Sequence, residues 1–367
     1  MKKHFIIYAP AINAKSAGAH SILESFLSSL DDNTATDNWQ FVGHKDYEPL
    51  CLQHNVKFNE LDLNLQWFKR IIYDFFLFKH IFLKVSVPPS IIVSMQNTTP
   101  RLRKEDKNLT YLHQAIPFLQ EFYPSPIKQT KLFLIKHFYY FFISYSINEK
   151  KSFFIVQSEW LKKIISRRLK IPDNHIFIHR PLPTDILLSE FHKKKNDSFF
   201  YPALYQVYKN HQNLIEGFRL AAIENPIKNY YLEITLEDFR LSSILRAVGT
   251  TPDNLHIKNC GVLTRKETLQ KINNAKAVIF PSLIESYGMP IAEAMFFNTP
   301  VMASNLPYAK ELLGEDGSYF DPENPQSIKS AIVSFDSRED NIVMLPEARF
   351  QKWEKLLNEF QSLLIDY

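Results

Sequence analysis

The sequence is short of several things. It has two cysteines in 367 residues, Cys51 and Cys260, with no metal-ligand spacing. That leaves no disulfide framework and makes a reducing compartment the simplest setting. No run reaches the ~18 apolar residues of a spanning helix. Net charge is only +4, which gives no ground for a nucleic-acid partner. After Met1-Lys2-Lys3 the apolar run ends near Pro10 without a small-residue cleavage pattern, so it reads as a first strand and not a signal peptide. Glycine is scarce, eight residues in all, and the first strand-to-helix loop carries one, Gly18. No internal repeat or low-complexity tract is apparent.

What is present is a globular composition, 45% hydrophobic and 22% charged, on a chain long enough for two ordinary domains. Short apolar runs recur, several of them followed by a helical pattern. His4 to Ala9 is the first, with Gly18 opening the next helix. Phe41 to Gly43, Val56 to Leu61, Ser90 to Ser94, Leu109 to Leu112, Phe153 to Gln157 and Ile176 to Ile178 follow. A second series starts at Ser198 to Tyr201 and runs through Tyr231 to Ile234, Leu255 to Lys258, Ala277 to Phe280, Pro300 to Ser304 and Ser318 to Phe320. The repeated β–α order predicts an α/β protein with two doubly wound sheets. Pro181, Pro183 and the polar stretch 192–197 mark the boundary. The expected domains are 1–185 and 186–345, with an amphipathic helix over 346–367.

The most informative stretch runs from Ala277 to Met295. The apolar run stops at Pro281-Ser282, Gly288 permits a turn with positive φ, and Pro290 suits the first turn of a helix. A helix start offers N–H groups and a positive dipole end to an anion. Glu285 precedes the turn and Glu293 lies one helical turn in. Their plain readings are a loop charge and a solvated helix residue. The full string Pro-Ser-x-x-Glu-Ser-Tyr-Gly-Met-Pro-x-x-Glu-Ala, in its strand–loop–helix setting, resembles the signature of the family-4 (group 1) glycosyltransferases. Tyr-Pro-Ala…Lys-Asn-His…Leu-Ile-Glu-Gly-Phe, from Tyr201, resembles the first segment of that family's donor domain. Ser-x-Gln-Asn-Thr followed by Tyr-Leu-His-Gln-x-x-Pro-Phe resembles the bacterial subgroup that assembles surface polysaccharides such as O-antigen, capsule and lipopolysaccharide.

The resemblance implies the GT-B fold, with two Rossmann-like domains facing across a cleft and a final helix returning to the first. It implies a retaining, cytoplasmic hexosyltransferase that takes a UDP- or GDP-sugar donor and a glycan or lipid-linked oligosaccharide acceptor, with no metal and no nucleic acid. Glu285 would bind donor-sugar hydroxyls and steady developing positive charge. Glu293 would hold the ribose. Ser286, Tyr287, Gly288 and Met289 would offer donor contacts, the last two through backbone N–H groups, and Lys209 would neutralise the leaving diphosphate. Val262 and Leu263 would line the base, Gly18 the first loop, and His113 would act on the acceptor side with Asn97 and Gln114. For His113 a structural histidine bonded to backbone is the other reading. The arginine usual upstream of Lys209 is absent, since Ala203, Leu204 and Tyr205 occupy that region; Arg265 is a candidate by loop position alone. Another GT-B enzyme, such as a nucleotide-sugar epimerase, and a non-catalytic sugar-nucleotide binder are the alternatives.

Two segments mix aromatics with basic residues, 67–85 and 127–147. The second sets Lys128, Lys131, Lys136 and His137 among Phe and Tyr. It reads either as a core helix or as a surface helix lying on anionic lipid, lysines at the headgroups. Ser158 is expected to cap the helix it precedes, and Thr264 with Glu267 to form a capping box.

Overall fold

A computed structural model describes residues 4–13, 18–30, 38–62, 73–74, 90–120, 124–127, 129–147, 152–181, 191, 196–315, 317–336 and 353–363. The chain divides into two compact units, Met1–Leu182 with Phe350–Tyr367, and Pro183–Arg349.

The first unit is built on seven strands, β1 His4–Ala9, β2 Asn38–Gly43, β3 Lys57–Glu60, β4 Ser90–Ser94, β5 Lys107–Tyr111, β6 Ser152–Val156 and β7 Ile176–Ile178. They pair in parallel in the order β3-β2-β1-β4-β5-β6-β7. Central strands of such a sheet are covered on both faces and so are apolar without alternation. Accordingly Phe5 to Ala9 and Ile91 to Val93 are buried, whereas β3 at the edge is half exposed. Order reverses between β1 and β4, and that switch point is where an open α/β sheet places its ligands.

Around this sheet lie α1 Gly18–Ser28, α2 Glu48–Gln53, α3 Thr130–Leu134, α4 Tyr140–Ser146 and α5 Glu159–Leu169. α3 and α4 are joined by a π-helical stretch, Ile135–Tyr139. Leu132 and Ile143 are buried, while Leu134, Phe138, Phe141 and Tyr145 are exposed. Lys136 is a correction to the lipid-facing reading. It is buried, its Nζ points to the Gln120 carbonyl, and desolvation lowers its pKa, so it faces inward and not toward headgroups. Lys128 and the segment 67–85, apart from Tyr73 and Asp74, lie outside the described residues, as does most of the boundary stretch 182–195. Ser158 stands at the N-cap of α5 in extended conformation, as expected, but its side chain makes no bond to the helix amides.

The second unit carries β8 Ser198–Tyr201, β9 Tyr230–Ile234, β10 Leu255–Asn259, β11 Ala277–Phe280, β12 Val301–Ser304 and β13 Ser318–Phe320, in the parallel order β10-β9-β8-β11-β12-β13. Its helices are α6 His211–Glu224, α7 Asp238–Val248, α8 Arg265–Asn274, α9 Met289–Phe296, α10 Pro307–Leu313 and α11 Pro325–Asp336. α6 and α11 approach closely at Gly217, where a Cβ would come within 2.6 Å of Ile328 Cγ2. The switch point here lies between β8 and β11.

The last helix, α12 Trp353–Leu363, belongs to the first unit. Trp353, Leu356, Leu357 and Phe360 join its core. Trp353 stacks on His179 at 3.7 Å and meets Phe26 edge-on at 4.8 Å, and Phe360 meets Phe153 at 5.2 Å. Burying each such side chain contributes about 1.5–3 kcal/mol.

Candidate functional site

In the second unit the site grows from the ends of β8 and β11. All four residues of β11 are buried. The loop after it is fastened on two sides: Leu283 N–H donates to the Tyr208 carbonyl (2.8 Å) and the Tyr308 hydroxyl to the Ser282 carbonyl (2.7 Å). Gly288, φ 91°, turns the chain into α9, with Pro290 in its first turn. Its carbonyl accepts from Ile291 N–H at 2.9 Å. A Cβ at Gly288 would sit 3.3 Å from Ile291 and 3.4 Å from Tyr308 in a backbone conformation that disfavours one.

After β8, a single turn Val207–Lys209 ends at Asn210, φ 59°. The Asn210 amide donates to the carbonyls of Pro281 (3.2 Å) and Pro322 (2.7 Å), and the Tyr201 hydroxyl to that of Lys209 (2.7 Å). So held, Lys209 Nζ reaches Glu285 Oε1 at 2.5 Å. Both side chains are largely shielded, at 20% and 15% exposure. Burial, aided by the Glu285 charge, pushes the Tyr208 phenol up to about 12 and raises those of Tyr201 and Tyr308 further.

Glu293 is 2% exposed on α9. Its Oε1 accepts from Arg265 Nη1. Arg265 is the first residue of α8, behind the Thr264–Glu267 capping box. The loop leading there turns at Gly261, φ 66°, and leaves Val262 72% exposed, with Leu263 and Ser286 half-buried. Tyr287 is buried with its loop. Thus Lys209, Glu285, Gly288, Met289, Glu293 and Arg265 lie on consecutive pieces of one framework, and each glutamate meets a cation from a different βα unit.

A further charged cluster was not visible in the sequence. Glu233 on β9 accepts from Lys271 Nζ (2.5 Å) and lies 3.5 Å from Lys258 Nζ and 3.6 Å from Cys260 Sγ. Burial alone would raise its carboxyl, but the lysines bring it below the usual range. The cluster fastens α8 to the sheet.

In the first unit the loops after β1, β4 and β5 meet. Ala11 N–H donates to Gln96 Oε1 (3.2 Å). Asn97, φ 66°, accepts with its Oδ1 from the backbone N–H groups of His113 (2.5 Å) and Gln114 (3.2 Å). The His113 ring places Nε2 2.7 Å from the Met95 carbonyl. A carbonyl only accepts, so Nε2 carries the proton and the neutral ring keeps Nδ1 as an acceptor. Burial lowers its pKa to about 4, against the Met95 bond that would raise it. His113 therefore does bond to backbone, and one ring nitrogen is left over for other use. Gly18 is exposed, and a Cβ there would meet nothing within 4 Å.

The sequence pattern of the glycosyl transferases group 1 family matches residues 198–335. The O-antigen chain mannosyltransferase RfbU of Salmonella typhimurium strain LT2 is 23% identical over 288 residues, 77% of this chain and 72% of that protein. The serotype-specific mannosyltransferase WbdA of Escherichia coli is 29% identical over 133 residues, 35% of this chain and 16% of its own length. Among solved structures, the lipopolysaccharide outer core galactosyltransferase WaaB superposes with TM-score 0.63 at 15% identity over 98% of this chain and 99% of its own. Anabaena HepE, in complex with UDP and glucose, gives 0.58 at 15% identity over 90% and 89%. At such identities the structures speak for the fold. With the two parallel sheets they show that the chain has the GT-B fold, and its residues 198–335 carry the pattern of the group 1 glycosyltransferases.

Proposed function

We propose that this protein moves a hexosyl residue, with retention, from a nucleotide-sugar to a lipid-linked glycan acceptor of a surface polysaccharide such as O-antigen. The observation that carries this reading is the pairing of Lys209 with Glu285 at the switch point of the second sheet, beside a helix that starts at a positive-φ glycine. Mannose is the first donor sugar to try, because RfbU and WbdA are mannosyltransferases.

In this reading the donor diphosphate lies at the start of α9, where backbone N–H groups and the helix dipole favour an anion. Lys209 turns from Glu285 to the diphosphate. Glu285 then accepts from sugar hydroxyls and stabilises positive charge developing on the ring. The bond from the anomeric carbon to the phosphate oxygen breaks, the nucleoside diphosphate takes the electron pair, and the acceptor oxygen bonds to the anomeric carbon. Its proton passes to the departing phosphate on the same face. Glu293 holds the ribose, which does not react, and the loop at Val262 and Leu263 faces the base. Such preorganised charge is commonly the largest part of catalysis. His113, with Asn97 and Gln114 fixing its loop, attends the acceptor.

The lipid-linked part of the proposal draws on the exposed side chains Leu134, Phe138, Phe141 and Tyr145. Their spacing of four, three and four residues puts them on one helical stripe. We place that stripe on the anionic inner face of the plasma membrane. No helix among the described residues is long and apolar enough to cross a membrane.

The test is a panel of GDP- and UDP-sugars. One of them should raise the melting temperature, since a ligand at a hundred times its Kd adds about 2.7 kcal/mol. The same sugar should then appear on an isolated lipid-linked glycan with release of nucleoside diphosphate. Isomerisation of the donor without acceptor would make the protein an epimerase, and binding with no turnover a non-catalytic module. No shift with any nucleotide sugar would overturn the proposal.

A further inference from the structure

Arg265 stands where a cation is poorly placed. It is the first residue of α8, facing the positive end of the helix dipole. Its guanidinium reaches out of its own βα unit to Glu293, 28 residues on. Glu293 is almost fully buried on a helix whose neighbouring residues Ile291, Ala292, Ala294 and Met295 are buried and apolar. A carboxylate in such a place is costly unless paired. The Arg265 side chain, 35% exposed, is the solvent-facing half of the pair. Its helix is fastened at both sides, by the Thr264–Glu267 capping box and by the 2.5 Å Lys271–Glu233 bridge. Arg265 is thus presented from a rigid support, which is what holding a second group in orientation requires.

We propose that Arg265 is a positioning residue for nucleotide recognition: it holds and aims the Glu293 carboxylate, so that it accepts from the two ribose hydroxyls. A carboxylate has about four lone-pair sites, so one guanidinium contact is compatible with accepting from a diol. The inference rests on the reading of Glu293 as the ribose group. It departs from the simpler idea that Arg265 replaces the arginine absent upstream of Lys209, because an arginine committed to Glu293 acts on the ribose and not on the diphosphate.

The two roles separate by ligand chemistry. Affinities of UDP and GDP, and of their 2′,3′-dideoxy analogues, are measured by calorimetry for the full chain and for Arg265→Met, Arg265→Lys and Glu293→Gln. Loss of a charge-assisted hydrogen bond weakens binding by roughly tenfold or more. We expect Arg265→Met to weaken the ribonucleotide about tenfold and leave the dideoxy analogue within about twofold, erasing discrimination between them. Arg265→Lys should recover part of the discrimination, which a merely structural loss would not predict. Equal weakening of both ligands would mean that Arg265 touches the diphosphate, and unchanged affinities would mean that it does nothing; either overturns the inference. Glu293→Gln tells the two levels apart. If it keeps full ribose discrimination, the ribose reading itself fails. If it loses discrimination while Arg265→Met keeps it, only the role given to Arg265 falls.

Discussion

Lys209 Nζ lies 2.5 Å from Glu285 Oε1, 76 residues further along the chain. The cation proposed for the diphosphate and the carboxylate proposed for the sugar are therefore each other's partners. With the proposed roles, Glu285 competes with the diphosphate for Lys209. Glu285→Gln should leave the Kd of the bare nucleoside diphosphate unchanged or lower it, while kcat falls on the order of 10²–10³-fold, as for other removed electrostatic groups. Steady-state kinetics with calorimetry checks this. Nucleotide affinity falling in step with kcat would show that Glu285 does not divide its role in this way.

His113 is fixed as a neutral ring by its bond to the Met95 carbonyl and by burial that lowers its pKa to about 4. Transfer should show no titration of this group between pH 5 and 8. His113→Ala should lower turnover by roughly 10²-fold with little change in nucleotide affinity. Wild-type turnover in the variant would leave His113 with a structural role alone.

Acid should weaken the first unit through His179 as well. Burial pushes its pKa down to about 3 from the ordinary 6.5, and its ring lies stacked on Trp353. Below pH 6.5 the unfolded chain takes up a proton that the folded chain refuses. The stabilisation is complete above 6.5 and is lost as pH falls toward 3, at a slope of about 1.4 kcal/mol per pH unit. His179→Phe keeps a ring against Trp353 and removes the titration. Calorimetric melts at pH 7.5 and 5.0 should then differ by less than in the parent. An unchanged difference would show that acid sensitivity arises elsewhere.

Replacing Phe138, Phe141 and Tyr145 by Ser should abolish association with vesicles carrying phosphatidylglycerol at low salt, without altering the melting temperature by more than a few degrees. All three are exposed, so little packing is lost. Sedimentation with vesicles gives the answer; a parent protein that ignores anionic and neutral vesicles alike would refute the membrane stripe.

Both sheets could be read from the chain because strands such as His4–Ala9, Ser90–Ser94 and Ala277–Phe280 are short apolar runs in a repeated β–α order, whereas the switch points came only with the strand pairing. The Glu285–Gly288–Glu293 string was legible for a related reason: strand, turn and helix start are contiguous. Pairings across βα units were not. Nothing local to Lys209 announces Glu285, and Arg265 was noticeable only as a loop cation until α8 and α9 were set side by side. The π-helical stretch at Ile135–Tyr139 hides in a helical pattern of ordinary composition. Ser158 has the residue type of a cap but makes no capping bond to its helix, because identity at a helix start does not determine where a hydroxyl points. Lys136 fits a headgroup-facing lysine by charge alone, and only the packing of its helix turns it inward.

The helix Trp353–Leu363 has a consequence for how the molecule is made. During synthesis the first sheet leaves the ribosome long before the residues that close its core, since Trp353, Leu356, Leu357 and Phe360 are translated after the entire second unit. The nascent first unit would wait with Phe26, Tyr111, Phe153 and Phe177 uncovered, a state in which a chaperone is the natural companion. The second unit has no such debt to later sequence and should become protease-resistant first. Stalled chains ending before Trp353, probed by pulse proteolysis, should protect 198–335 and leave the first unit open to cutting; equal protection of both would show that the sheet holds without its last helix.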